Sequence, residues 1–215
     1  MKPFEVPPLP FTLPSLDLAT VVYVLGATAL IAGLLLLWRW YRHLRARKVL
    51  LAAVTGTSFD YLRDVLVPDG QGGWLHVDFL LLTARGVVII DLRYVVGNIF
   101  GGDQMTEWTV IDGPQRFTFT NPQGALYDRI AAVRAVAGDV STEGRIVFTK
   151  RGKFPKGLPK WTLMVDSLRT EFPSAESLLL DSTVERFDSS WQRLKSAAMP
   201  SSINQIRVGG PRRTA

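Results

Sequence analysis

The sequence predicts an α/β protein, a mixed sheet flanked by helices and carried behind one N-terminal transmembrane helix. Three observations predict it. Residues 18–38 contain no charged side chain. Two β-rich runs, residues 74–83 and 87–93, are joined by only Ala84-Arg85-Gly86. A helix opening at Asn121-Pro122 separates these runs from later strand-like segments at 145–149 and 161–165. The order helix, antiparallel strands, helix, strand, strand, helix implies a sheet with helices on its faces.

The apolar run comes first. At ~1.5 Å per residue it spans roughly 32 Å, enough for a ~30 Å hydrocarbon core. A cleaved signal peptide would have a basic start, a shorter core and a small-residue cleavage site. Here the run ends in Trp38, Arg39, Trp40, Tyr41 and Arg42, the aromatic and basic residues of a membrane interface. Lys2 is the only positive residue before the run, whereas Arg39, Arg42, Arg45, Arg47 and Lys48 follow it without an acid. The positive-inside rule then places the N-terminus outside a cell inner membrane and everything after Arg39 in the cytoplasm. The same basic block is suited to anionic lipid headgroups. Residues 1–17 hold Pro3, Pro7, Pro8, Pro10 and Pro14 and read as an extended external tail.

Charge and composition narrow the function. The formal net charge of +6 resembles a nucleic-acid signal, yet residues 49–215 carry 19 basic and 17 acidic side chains. The excess is concentrated in residues 39–48. No cysteine is present, which excludes disulfide scaffolds, Cys-ligated zinc, iron–sulfur clusters and thiol catalysis. Two histidines, His43 and His76, leave no room for a multi-histidine metal site.

Residues 49–66 read as a helix continuing the anchor, from a loose stripe of Val54, Phe59, Leu62 and Leu66. Pro68-Asp69-Gly70 and Gly72-Gly73 mark a turn. The runs 74–83 and 87–93 form an antiparallel hairpin whose second strand is apolar on both faces and therefore central. Residues 95–102 form a Gly-containing connection. Residues 107–111 and 116–120 form a second hairpin around Asp112-Gly113-Pro114. Asn121 caps the next helix with Pro122 at its first position, and Gly138 ends it. Ile130, Val133 and Val136 face inward. Residues 182–198 are a final amphipathic helix. The predicted division is tail 1–17, transmembrane helix 18–38, basic segment 39–48, folded domain 49–199 and flexible tail 200–215.

Chemistry centres on two acids at the ends of neighbouring strands, Asp78 and Asp91. Asp78 interrupts an apolar run, where a charge needs a reason. Asp91 and Arg93 are two apart on a strand and project together. Two converging carboxylates can hold Mg²⁺, and an adjacent basic side chain can orient water or stabilise phosphate charge. The alternatives are structural. Asp91 and Arg93 would then be an ion pair, Asp78 a hydrogen-bonded turn residue and His76 a packed histidine. Asn121 would be a helix cap and Trp108 core. A second cluster, Lys150, Arg151, Lys153, Lys156 and Lys160 around Phe154, has no acid. It is suited to nucleic acid or anionic lipid, or is a solvated hairpin tip.

In these residues the chain resembles the nuclease-related domain (NERD) family. The resemblance covers roughly residues 50–150. It rests on Asp78 within residues 74–83, the run Gly86-Val-Val-Ile-Ile-Asp-Leu-Arg93, Gly97-Asn98-Ile99, Trp108, and Asn121-Pro122. It implies a restriction-endonuclease-like core similar to the PD-(D/E)xK nucleases, with Mg²⁺-dependent phosphodiester cleavage where the site is intact. Asp78 and Asp91 would then be metal ligands, and with Arg93 the catalytic set. Departures are evident. Asp91 stands where Glu is usual. Arg93 replaces the lysine and cannot act as a general base. The Gly-Glu pair of the upstream helix falls on Ser58-Phe59, with Asp60 one step away. The glutamine after Asn-Pro falls near Ala125. Three functions follow: a membrane-anchored domain with a degenerate phosphodiesterase site, an active Mg²⁺-dependent nuclease acting on DNA or RNA, or a non-enzymatic lipid- or protein-binding scaffold with a membrane protein partner.

Overall fold

The structure is a computed structural model that describes residues 17–173 and 181–201, without the side chains of 42–44, 46, 47 and 181–185. The Pro-rich tail of residues 1–16, the segment 202–215 and the side chain of Arg42 lie outside that description. The chain divides after Lys48 into two units, each described by itself.

Helix α1, Leu18–Thr55, is the first element. Asp17 caps it, accepting the Ala19 N–H at 2.5 Å. Its stretch Leu18–Tyr41 is long and apolar enough to cross a membrane, and none of that stretch is buried. Leu25, Leu36, Trp38, Trp40 and Tyr41 are all exposed. An apolar surface of this extent needs cover that the described residues do not supply.

In the second unit the helix ends at Thr55, so the helix expected over 49–66 is corrected. Gly56, Thr57 and Ser58 close it. The Gly56 N–H and the two hydroxyls donate to the carbonyls of Ala52, Val54 and Thr55 at 2.8–3.0 Å. The Phe59 N–H then bonds the Leu82 carbonyl and starts strand pairing. The strands that follow are β1 Asp60–Pro68, β2 Trp74–Thr83, β3 Gly86–Arg93, β4 Gly97–Phe100, β5 Glu107–Asp112 and β6 Gln115–Thr120. Helix α2, Pro122–Ala137, leads to β7 Thr142–Phe148, β8 Gly152–Lys153 and β9 Thr162–Met164. A 3-10 turn, Val165–Ser167, then precedes α3 Leu168–Glu171, α4 Asp181–Ala197 and β10 Met199–Pro200. Both expected hairpins and the capped helix are present. The connection 95–102 contains β4, and the basic segment 150–160 contains β8, which pairs parallel with β4.

A six-stranded mixed sheet runs β10-β1-β2-β3-β7-β9, antiparallel as far as β3 and parallel from β3 to β9. A smaller sheet runs β6-β5-β4-β8. Strand β3 is central and buried on both faces. Val87 and Ile89 pack with Leu126 and Val133 of α2 and Trp191 of α4. Val88 and Ile90 pack with Val54, Leu168 and Phe172. Each buried aliphatic or aromatic side chain of this kind contributes about 1.5–3 kcal/mol. The hairpin between β2 and β3 needs Gly86, whose φ is +120° and whose Cβ would meet the Ser141 carbonyl oxygen.

One irregularity positions the site. Pairing of β1 with β2 is recorded at Arg63↔Phe79 and Val65↔Val77 but not between them. The position skipped is Asp64 opposite Asp78. Asp64 has a φ of +54°, a conformation that non-glycine residues adopt rarely. Leu62 and Val65, like Val77 and Leu80, meet the same core although they are three residues apart. The apolar alternation therefore slips on both strands at the two aspartates.

Candidate functional site: an arginine-neutralised carboxylate pair

Asp91 lies in the penultimate position but one of β3, and its side chain is only 4% exposed. Its Oδ2 accepts from two guanidiniums. Arg93 Nη2 donates at 2.7 Å and Arg129 Nη1 at 3.3 Å. The spacing of two on a strand thus brings Asp91 and Arg93 together as expected. Arg129 comes from α2, 38 residues later, and also donates Nε–H to the His76 carbonyl at 2.6 Å. The buried Nε of Arg93 has no hydrogen-bond partner among the described residues.

Asp78 stands where the β2–β3 ladder opens, one residue beyond Phe79↔Ile90. Its Oδ2 accepts the Leu92 N–H at 2.9 Å. Burial holds its carboxyl above the ordinary aspartate value. Repulsion from Asp91 adds to this, while the Leu92 N–H, His76 and Arg93 oppose it. His76 is not a packed apolar histidine. Its Nε2 lies 2.6 Å from Asp64 Oδ1, and its Nδ1 lies 3.8 Å from Asp78 Oδ1. The structure therefore joins Asp78, Asp91 and Arg93, and adds Asp64, His76 and Arg129.

These residues do not fit a ready divalent-cation site. Mg²⁺ requires free carboxylate oxygens at close range. Here one Asp91 oxygen is taken by two guanidiniums and one Asp78 oxygen by a backbone N–H. Both guanidiniums of the site lie on Asp91. Among the described residues no group of three or more His, Asp or Glu is placed to hold a metal.

The other polar positions have separate work. Asp60, near the expected acid of the upstream helix, accepts Trp191 Nε1–H at 2.8 Å and pairs with Lys195 at 2.5 Å, which docks α4. Ser58 closes α1, and Ala125 is exposed. Asn121 caps α2 through Gln123 N–H at 2.9 Å. Gln123, 5% exposed, donates Nε2–H to Asp103 and to the Lys160 carbonyl. The Asp103 carboxyl also accepts the Lys160 N–H, and these bonds hold it below its ordinary value, Gln123 contributing most.

That network pins one end of the basic segment. At the other end Lys150 pairs with Asp166 at 2.9 Å. Arg151, Lys153, Lys156 and Lys160 are exposed, and Lys156 lies 6.0 Å from the Phe100 ring centroid. Phe154 turns inward, edge-on to Trp108 and Phe148. Trp108 is fully buried, as its core reading expects.

A family model described as the nuclease-related domain matches residues 42–149, half of the chain. The chain belongs to the nuclease-related domain family. No curated protein and no solved structure matches it. The nuclease-related match spans β1 to β7 and α2, and so contains Asp64, His76, Asp78, Asp91, Arg93 and Arg129. The family is nuclease-like, a class that typically uses divalent metals.

Proposed function

We propose that this is a single-pass membrane-anchored protein whose nuclease-related domain carries a degenerate metal-dependent phosphodiesterase site. The observation that carries the reading is the pair of guanidiniums on Asp91. Arg93 stands at the family's lysine position and stays protonated, so it cannot remove a proton from water. The Oδ2 atoms of Asp91 and Asp78 are already engaged, by the two guanidiniums and by the Leu92 N–H, which leaves one oxygen of each for a cation.

The anchor is the helix stretch Leu18–Tyr41. With Arg39, Arg42, Arg45, Arg47 and Lys48 after it, the N-terminus lies outside the cell inner membrane and the domain in the cytoplasm. The exposed cations Arg151, Lys153, Lys156 and Lys160 supply a contact for nucleic acid or anionic lipid, and a membrane protein partner would meet the domain at the same surface of the bilayer.

The test uses the full chain in detergent, titrated with Mg²⁺ and Mn²⁺ and incubated with labelled single- and double-stranded DNA and RNA. Folded protein that neither binds metal nor cleaves is the expected result. Cleavage abolished by Asp78→Ala would make it an active nuclease and overturn the reading. Topology is tested separately, because the chain has no cysteine of its own. An impermeant maleimide should label Ser15→Cys in intact cells and Ser189→Cys only after permeabilisation. The reverse pattern would place the domain outside.

A further inference from the structure

Arg129 occupies an unusual place on α2. Leu126 and Val133 are buried on the face that packs against the sheet. Residue 129 falls between them at the i+3 position of the same stripe, where an apolar side chain would ordinarily sit. A cation there must be paired to be tolerated. It is paired twice, through Nε to the His76 carbonyl and through Nη1 to Asp91, and its side chain is 20% exposed.

We propose that Arg129 supplies from within the chain the positive charge a divalent cation would bring to Asp78 and Asp91, and thereby closes this site to metal. The inference rests on the degenerate-site reading above and names the residue responsible. Arg93 holds one Asp91 oxygen, and Arg129 places a second guanidinium on that same oxygen, in a cluster where Asp91 is almost wholly buried. A divalent cation entering that cluster would meet two fixed positive charges at Asp91. Asp64 and His76 pair with each other beside it. The N-cap at Asn121 and the proline after it fix where α2 begins. The helix then delivers residue 129 to β3 without further adjustment.

The experiment uses the full chain in detergent micelles with Mn²⁺ as the probe. Bound metal is read by electron paramagnetic resonance, and the melting temperature is read with and without Mn²⁺. Wild type and Arg93→Lys are expected to bind no more Mn²⁺ than Asp78→Asn does. Arg129→Gln is expected to bind at least ten-fold more tightly than wild type, and Mn²⁺ is expected to raise its melting temperature, because a ligand of the native state alone stabilises it. Both effects should vanish in Arg129→Gln/Asp78→Asn. Arg129→Met keeps the stem's packing without the charge and should behave like Arg129→Gln. Arg129→Lys keeps a cation and should stay closed.

Variants that bind no more Mn²⁺ than wild type overturn the inference and leave the degenerate-site reading standing. Variants that unfold and are not rescued by Mn²⁺ overturn it in the same way. Wild-type binding of Mn²⁺ that Asp78→Asn removes overturns both.

Discussion

Replacing Asp91 by Ala tests whether the carboxylate is the hub of a buried charge cluster or an incidental surface pair. Exposed ion pairs are worth about 0–1 kcal/mol. Removing one partner of a fully buried pair costs about 3–5 kcal/mol, since the other charge is left without compensation. Asp91 belongs near the second limit at 4% exposure, while Arg93 at 32% and Arg129 at 20% keep some access to water. Two guanidiniums lose an acceptor, and Arg93 Nε already lacks one. The expected cost is therefore roughly 3 kcal/mol, at the lower edge of the buried range. For a domain of this size that lowers the melting temperature by roughly 6–12 °C. The assay is a thermal melt of the full chain in mild detergent at neutral pH, followed by fluorescence of the buried Trp108 and Trp191. Asp166→Ala removes the exposed Lys150 pair and serves as the control, with a melt expected to stay nearly unchanged. A loss of less than about 2 °C for Asp91→Ala would show that the guanidiniums rehydrate freely and would refute the hub role of Asp91.

Three further outcomes are expected. Asp78→Asn keeps an oxygen for the Leu92 N–H but removes a carboxylate whose pKa burial has raised. The folded state holds that proton more tightly than the unfolded chain, so stability is full below the ordinary aspartate value and falls as pH rises through the raised one. The variant's melting temperature should show a flatter pH profile in that window and be no lower at pH 7, and a steeper profile would contradict the direction of the shift. Gln123→Ala removes the donor shared by the Asp103 carboxylate and the Lys160 carbonyl. It should speed tryptic cleavage at Lys153 and Lys156, and unchanged cleavage would mean the segment is held elsewhere. Gly101→Ala would drive a Cβ into the Trp108 ring. It should destabilise by about 1–3 kcal/mol, read as a lower melting temperature.

The readable parts of this fold are those where one local rule decides. Asn121-Pro122 announces α2 because a cap and a fixed φ act within a turn. The hairpin of β2 and β3 is legible from a three-residue break at Gly86. Asp91 and Arg93 meet because strand geometry puts alternate residues on one side. Strand β1 misleads for a physical reason. The stripe Val54, Phe59, Leu62 and Leu66 crosses the end of α1, and beyond Asp64 the alternation slips, so that Val65 and not Leu66 joins Leu62 in the core. With β1 read as helix, Asp64 has no visible relation to Asp78 or His76. Arg129 is hidden differently. The helical pattern of α2 is read from its apolar residues, and an arginine on their stripe registers only as an interruption until its partner 38 residues earlier is placed beside it.

The two sides of the Asp91 cluster are not equivalent, and the difference separates a converted site from a damaged one. In a damaged site, acids that once held a metal would be left buried without a counter-charge, and burial would protonate or destabilise them. Here two guanidiniums, one of them from a core-facing helix position, hold Asp91, while burial still raises Asp78. Removing the acid strands two cations, which no added divalent ion can relieve. Removing Arg129 leaves Asp91 with Arg93 alone, and a divalent ion can supply the charge removed. Mn²⁺ should therefore rescue the melting temperature of Arg129→Gln and leave that of Asp91→Ala where it is. Equal rescue of both would place the added metal elsewhere on the chain and would remove the link between Arg129 and the closed site.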